Sequence, residues 1–192
     1  GWYREVHVKS LESYYTRTLL AIRKALLRKC VDLENEVRGL LKVFGIKLRA
    51  GLGHNPFDKT ARQLISRNEA LAYALMPLLD VRLQLYQAFL ELDRRVKTLA
   101  GNVPVCLLLM TTPGVGAITA LTFRAAVDDP RRFRKSKIVA AHFGLTPRRY
   151  QSGERDNPGH ISKAGDPEVR AALYTIFRGP FIGYATRPRW MP

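Results

Sequence analysis

Apolar side chains recur at steps of three and four residues over two long stretches of this sequence, residues 9–45 and 59–99. That spacing keeps them on one face of an α-helix. The first stretch contains no proline, and the second ends in alternating steps of four and three, as in a coiled-coil heptad. The pattern predicts two long helices, joined by a loop at residues 46–58, that form an antiparallel coiled-coil hairpin. The apolar positions are Leu19, Ile22, Leu26, Leu33, Val37, Leu40 and Phe44, then Leu85, Phe89, Leu92, Val96 and Leu99.

Local signals modify this hairpin. Pro77 lies inside the second stretch, and we expect it to kink or break the helix because proline lacks an N–H. We expect an interruption near residues 66–68, and a helix cap at Asp58. The hairpin is a packing scaffold on the simplest interpretation. Dimerisation through the long helices is the alternative, and it makes a homo-oligomer the expected assembly.

The second half of the chain reads as a string of short elements after Gly101-Asn-Val-Pro104. We therefore predict two domains, a helical hairpin over residues 1–100 and a small helical domain over residues 101–192. Short helices are expected at residues 105–111, 118–126, 137–143 and 169–177. The polar, glycine- and arginine-rich residues 146–167 are expected to be loop or extended structure. The predicted fold class is mainly α.

The charge balance points to a polyanionic partner. Lys and Arg total 32 against 16 Asp and Glu, which gives a formal net charge of +16. Such an excess favours nucleic acid. The two cysteines exclude a disulfide framework and a four-cysteine zinc site, and they fit a reducing compartment. No apolar run is long enough for a membrane span, so we expect a cytoplasmic protein with no membrane partner.

Pro113-Gly114-Val115-Gly116 separates two apolar helical segments, as in a helix-hairpin-helix. Gly114 and Gly116 would allow a tight turn, and the N–H groups of the next helix could hold a phosphate. A simple turn between helices is the alternative.

A basic segment, residues 131–137, follows this turn. Its cations could bind successive phosphates of a nucleic-acid backbone. A solvated start of a helix, with Phe133 anchored in the core, is the alternative. Asp128 and Asp129 are interpreted as a cap before Pro130. The four histidines are scattered, so we predict no metal site in this chain. The candidate DNA-binding cations here are Arg131, Arg132, Arg134, Lys135, Arg148 and Arg149.

The segment from Tyr150 to Arg170 places two hydroxyls, Ser152 and Ser162, in a basic, glycine-rich context. Serine becomes a nucleophile when it is activated or lies beside a polarised phosphate. Arg155, Lys163 and Arg170 could stabilise the charge that develops there. From the residues themselves, serines that form turns are the better interpretation.

The order of these motifs resembles the C-terminal domain of the IS110 family of insertion-sequence transposases. It runs from Pro-Gly-Val-Gly through Ala-Ala-His-Phe-Gly-Leu-Thr-Pro-Arg and Gln-Ser-Gly to Gly-His-Ile-Ser-Lys-Ala-Gly-Asp, and covers about residues 105–178. Val6-His-Val-Lys-Ser10 and Asn35-Glu-Val-Arg-Gly-Leu-Leu are similar to that family's middle region.

The resemblance implies a DNA transposase or recombinase that cleaves and rejoins strands by serine transesterification. Ser152 matches the nucleophile position, and Ser162 is the weaker candidate. Arg155, Lys163 and Arg170 would contact DNA or stabilise charge. DNA is the implied partner, a guide RNA is added by those members that use one, and a bacterial, nucleoid-associated location follows.

The family's RuvC-like domain, with its acids and the Mg²⁺ expected there, would lie before residue 1. The resemblance stops near Phe177-Arg-Gly-Pro180. We therefore expect a fragment or truncated product that does not complete transposition by itself. A non-catalytic nucleic-acid-binding module and an oligomerisation module stay open as alternatives.

Overall fold

The computed structural model describes residues 6–152 and 155–183, without the side chains of residues 148–158 and 177–183. The chain is mainly helical, as predicted. A 3₁₀ turn, Pro130–Arg132, and a two-stranded antiparallel sheet accompany the helices. The α-helices are α1 (Leu11–Val43), α2 (His54–Ile65), α3 (Glu69–Gly101), α4 (Pro104–Met110), α5 (Ala117–Val127), α6 (Ser136–His142) and α7 (Pro167–Gly183), and the strands are β1 (Pro147–Ser152) and β2 (Arg155–Ile161).

The chain divides into two compact units. Unit 1 contains residues 1–18 and 96–192, and unit 2 contains residues 19–95. Unit 1 therefore contains the first residues of α1, up to Thr18, and the last residues of α3, from Val96 onward. It also contains α4 to α7 and the sheet. The predicted division into domains at residue 100 stays a prediction.

In unit 2, the predicted break at Pro77 and the predicted helix cap at Asp58 are wrong. Helix α3 continues through Pro77, and a kink there stays a prediction. The carbonyl that lacks its helical partner there is that of Tyr73, whose residue is 87% exposed, so water can replace the missing N–H. Helix α2 begins at His54, so Asp58 lies inside it and bonds the Arg62 Nε at 2.8 Å instead of capping a helix. The break at residues 66–68 lies where it was expected.

Unit 2 has an apolar core at one end, where α2 packs against α1 and α3. Its buried members are Val37, Leu41, Phe57, Ala61, Ile65, Leu71, Leu75 and Leu79.

Further along α1 and α3, charged residues take buried positions. Arg82 is fully buried and its Nε lies 3.1 Å from Glu34 Oε1. Arg23 Nε lies 2.6 Å from Asp93 Oδ1. The two pairs advance in opposite directions along the helices, so α1 and α3 run antiparallel within unit 2. Coiled-coil packing stays a prediction.

The core of unit 1 joins α5, α6 and α7. Ala126, Val127, Phe143 and Val169 are buried together, and Phe123, Phe133 and Leu145 pack against them. Phe133 therefore takes the anchoring role that was one alternative for it. The four predicted short helices are present as α4 to α7, and residues 147–152 and 155–161 form the sheet.

Candidate nucleic-acid interface

Ser152 lies at the turn end of the β1–β2 hairpin. It is the last residue of β1, and its register partner is Arg155, the first residue of β2. The register is irregular between Pro147 and Arg149, at the opposite end of β1. The side chains of Arg148, Arg149, Ser152 and Arg155 lie outside the described part of the chain. The backbone thus fixes where the serine sits along the hairpin.

The base of the hairpin is held by two glycines whose backbones pack against each other's neighbours. Both have positive φ, +68° at Gly144 and +77° at Gly165. A Cβ on Gly144 would lie 2.2 Å from the Ala164 carbonyl oxygen, and one on Gly165 would lie 2.1 Å from that of His142. No side chain fits at either position, so glycine is required at both.

Arg170 fastens the same place from α7. Its Nη1 lies 3.2 Å from the carbonyl oxygen of Phe143, 2.8 Å from that of Ala164 and 3.1 Å from that of Gly165. Lys163, in the same loop, has a positive φ of +54°, and its backbone N–H donates to Gly144 O at 3.1 Å. The Lys163 side chain is exposed. Arg170 is thus engaged with backbone, whereas Lys163 presents its ammonium to solvent.

The glycine turn joins α4 to α5. Gly114 has a φ of +85°, and Gly116 is the N-cap of α5 with extended backbone. No side chain caps α5. The first N–H groups of that helix therefore lack the usual side-chain acceptor, and the positive end of the helix dipole favours an anion there.

The basic segment surrounds the 3₁₀ turn and the start of α6. Asp129 Oδ1 accepts the Arg131 N–H at 3.0 Å, which confirms the predicted cap at this acid. Arg132 stacks on the Phe133 ring, with its Cζ 4.6 Å from the ring centroid, and its Nη2 lies 3.2 Å from His142 Nε2. The other cations of the segment are exposed, namely Arg131, Arg134, Lys135 and Lys137.

His142 belongs to this cluster as a neutral group. Partial burial lowers the pKa of its imidazole, and the nearby charges of Arg132 and Lys9 lower it further. A neutral Nε2 can accept the Arg132 hydrogen bond, which orients the guanidinium on the Phe133 ring.

Sequence reasoning missed the role of Asp128, whose carboxylate holds the segment before α1. Ser10 Oγ and Ser13 Oγ each donate to Oδ1 at 2.6 Å, and the Ser10 N–H donates to Oδ2 at 2.9 Å. His7 Nε2 also lies 2.8 Å from Oδ2. These hydrogen bonds, first from Ser10 and then from Ser13, hold the pKa of Asp128 well below its ordinary value.

Other hydrogen bonds and ion pairs reinforce the attachment of the first residues to unit 1. Lys9 Nζ donates to the Ala126 carbonyl, and Arg124 pairs with Glu12 at 2.7 Å. Arg17 pairs with Asp166, which also accepts the Glu168 N–H at 2.9 Å. Burial raises the pKa of Asp166, but these bonds outweigh it and the net shift is downward. The sequence shows the motif Val6-His-Val-Lys-Ser10. It does not show that residues of this motif bond to Asp128.

Comparison with known proteins identifies relatives over most of this chain. Residues 106–179 match the family described as Transposase IS116/IS110/IS902. The transposase for insertion sequence element IS1111A of Coxiella burnetii is 30% identical over 177 residues, which are 88% of this chain and 48% of that protein. A probable family 20 transposase of Pseudomonas aeruginosa is 30% identical over 88% of this chain and 52% of its own length. The transposase for insertion sequence element IS1328 of Yersinia enterocolitica is 30% identical over 82% of this chain and 47% of its own length.

These matches place the chain, by class, among sequences related to insertion-sequence transposases. The chain belongs to the IS116/IS110/IS902 transposase family, as the resemblance implied. It spans about half the length of the relatives that it matches. Among the described residues, no helix has the length and hydropathy that a membrane crossing requires.

Proposed function

We propose that this chain binds DNA through unit 1 during transposition of an insertion sequence. The observation that carries the proposal is a contrast within unit 1 between acidic side chains that are paired and basic side chains that are exposed. Four described acids of unit 1 are paired within it: Asp128 with serines, Asp129 with Arg131, Asp166 with Arg17, and Glu12 with Arg124. Cations such as Arg134, Lys135, Lys137 and Lys163 are exposed. Unit 1 therefore presents positive charge outward, as binding to phosphates requires.

The glycine turn supports the same proposal. The uncapped start of α5 offers backbone N–H groups to a phosphate oxygen, and Gly114 and Gly116 leave room for a close approach. Interactions of this kind position a protein on DNA without reading its sequence. Gly114, Gly116, Arg131, Arg134 and Lys135 would form this sequence-independent surface.

We further propose that Ser152 is the nucleophile of strand cleavage and exchange. Its Oγ attacks a DNA phosphate, an Oγ–P bond forms and the P–O3′ bond breaks, and the serine proton passes to the departing 3′ oxygen. A 3′ hydroxyl then attacks the phosphoserine and reverses the sequence of bonds. One phosphoester is exchanged for another at each step, so no external energy source is needed. Arg155 and Lys163 would stabilise the charge on the phosphate.

Mg²⁺ is expected from the family's acidic domain, and the described residues do not fit it. They contain no cluster of three or more His, Cys, Asp or Glu that could hold a metal ion. Asp128, which ends α5, already accepts from Ser10, Ser13 and His7. No step of the proposed mechanism is therefore assigned to a metal held by these residues.

The test of the serine uses the protein that the complete gene encodes, and DNA from the flanks of that gene. A bridging 3′ phosphorothiolate in this DNA would trap the phosphoserine link, because the released 3′ thiol reverses the reaction poorly. We expect a covalent adduct whose phosphorylated peptide contains Ser152. Ser152→Ala should abolish the adduct, whereas Ser162→Ala, a matched removal of one hydroxyl from the same segment, should retain it. An adduct that persists in Ser152→Ala, or disappears only in Ser162→Ala, would overturn the assignment.

The second candidate function is a non-catalytic nucleic-acid-binding module. The exposed basic segment favours it as well, and it predicts DNA binding that Ser152→Ala does not change, with no adduct in any variant. A guide RNA and a homo-oligomer formed through the long helices stay predictions. An oligomerisation module without nucleic-acid binding would show no salt-dependent binding to DNA, which separates it from both.

A further inference from the structure

We propose that Arg170 is a positioning residue for the Ser152 hairpin, and that it does not contact DNA. The proposal deepens the proposed function and, where it concerns the nucleophile, rests on it. The segments that enter and leave the hairpin, residues 143–146 and 162–165, meet at one place. Arg170 is the side chain that joins them there.

The hydrogen bonds of Arg170 span both ends of the hairpin. Phe143 precedes β1, whereas Ala164 and Gly165 follow β2, and all three carbonyl oxygens lie within 3.2 Å of Nη1. Nη1 carries two hydrogens, so the three acceptors share them. A guanidinium is planar and presents its donors in a fixed geometry, whereas a lysine ammonium is a compact charge on a flexible stem. Lysine would therefore preserve the charge of this position but not its hold on the backbone.

Beside Arg170, the backbones at Gly144 and Gly165 pack so closely that no side chain fits at either glycine. A Cβ on Gly144 or Gly165 would meet backbone atoms at 2.2 Å or less. Two backbone bonds depend on this approach, Lys163 N–H to Gly144 O at 3.1 Å and Ser162 N–H to Thr146 O at 2.9 Å. Gly165→Ala should disrupt this backbone packing without removing a charge. It therefore tests the attachment of the hairpin independently of the Arg170 side chain.

Lys163 provides the matched control. It lies in the loop between β2 and α7, next to the carbonyl groups that Arg170 contacts, and it carries the same charge as Arg170, but its side chain is exposed. If unit 1 binds DNA, Lys163 is placed to contact a phosphate and Arg170 is not. The two cations should then separate cleanly in a salt titration.

The first test needs no DNA. Hydrogen exchange of the Ser162 and Lys163 amides is measured in Arg170→Lys, Arg170→Gln, Gly165→Ala and Lys163→Gln. We expect exchange about tenfold faster in the first three variants, and unchanged exchange in Lys163→Gln. The amides of α5 should keep their protection, which separates positioning from general destabilisation. Unchanged exchange in both Arg170 variants, or rescue by Arg170→Lys, would overturn the proposal, and Gly165→Ala decides the case if Arg170→Gln does not fold.

The second test measures DNA affinity against salt. Lys163→Gln should reduce the slope of log K against log salt by about 0.9, the value for one phosphate that is no longer neutralised. Both Arg170 variants should keep the slope and the affinity, yet form the Ser152 adduct about tenfold more slowly. A slope that falls equally in Arg170→Gln and Lys163→Gln contradicts the proposal. If Lys163→Gln leaves the slope unchanged, the proposed binding of a phosphate by Lys163 fails, while the exchange result still judges Arg170.

Discussion

At the scale of single residues, Asp128 shows how one carboxylate organises a distant segment. It ends α5 with a φ of +62°, a conformation that side chains rarely adopt. Both of its oxygens accept hydrogen bonds from residues more than 110 positions earlier in the chain. The strained backbone is maintained because these bonds fix the side chain.

Removing this carboxylate should destabilise unit 1. We expect Asp128→Ala to lower the free energy of unfolding by about 3 kcal/mol, because several donors are left without a charged acceptor. Asp128→Asn should be less destabilised, since it retains one acceptor oxygen and tolerates positive φ. Urea unfolding of the two variants measures the difference. Equal stability of Asp128→Ala and the unchanged protein would mean that these hydrogen bonds add nothing.

The same residue predicts a dependence on pH. The pKa of Asp128 is depressed in the folded chain, and its unfolded value is about 3.9. Its stabilisation is therefore complete above the unfolded pKa and is lost as the pH falls toward the folded pKa. The stability gap between the unchanged protein and Asp128→Asn should narrow when urea unfolding is repeated from about pH 6 down to about pH 3. A gap that widens on acidification would contradict this assignment.

At the scale of elements, α3 is continuous despite a proline in its interior. Pro77 lies inside the helix and leaves the carbonyl of Tyr73 without its helical partner. We expect Pro77→Ala to raise the free energy of unfolding by about 1–2 kcal/mol, because the restored N–H outweighs the greater freedom of the unfolded chain. Differential scanning calorimetry measures the shift. A lower melting temperature in Pro77→Ala would show that the proline shapes the helix.

The elements follow from the sequence because their signals are local. Steps of three and four residues mark the long helices, and Asp129 caps a turn two residues away. The buried face of the long helices was harder to predict, since Glu34, Arg82 and Asp93 occupy it among apolar residues. Periodicity of apolar residues cannot reveal a charge that is buried because a partner on another helix neutralises it.

The features of the candidate site are also of two kinds, those that local motifs reveal and those that depend on distant partners. Ser152, the glycine turn and the basic segment could be located from motifs. The attachment of Ser10 to Asp128, and the three carbonyl oxygens around Arg170, depend on hydrogen bonds between segments that lie apart in the chain. A single sequence shows each partner but does not show the pairing.

At the scale of the whole molecule, the chain carries a formal net charge of +16, and its two units place their charged side chains differently. Four of the described acids of unit 1 are held in hydrogen bonds or ion pairs within the unit, while several of its lysines and arginines face solvent. Unit 2 instead buries part of its charge in the pairs Glu34–Arg82 and Arg23–Asp93. We therefore expect the surface of unit 1 to dominate the interaction with a polyanion.

The most direct measurement is a salt titration of binding to a duplex of mixed sequence, from about 50 to about 200 mM. We predict a linear fall of log K with log salt. In Arg134→Gln/Lys135→Gln the slope should decrease by about 0.9 for each phosphate that these cations neutralise in the unchanged protein. The matched control, Lys29→Gln/Arg94→Gln, also removes two charges from exposed side chains, but in unit 2, and should keep the original slope. Binding that ignores salt, or an equal decrease of slope in both double variants, would contradict a DNA-binding surface on unit 1.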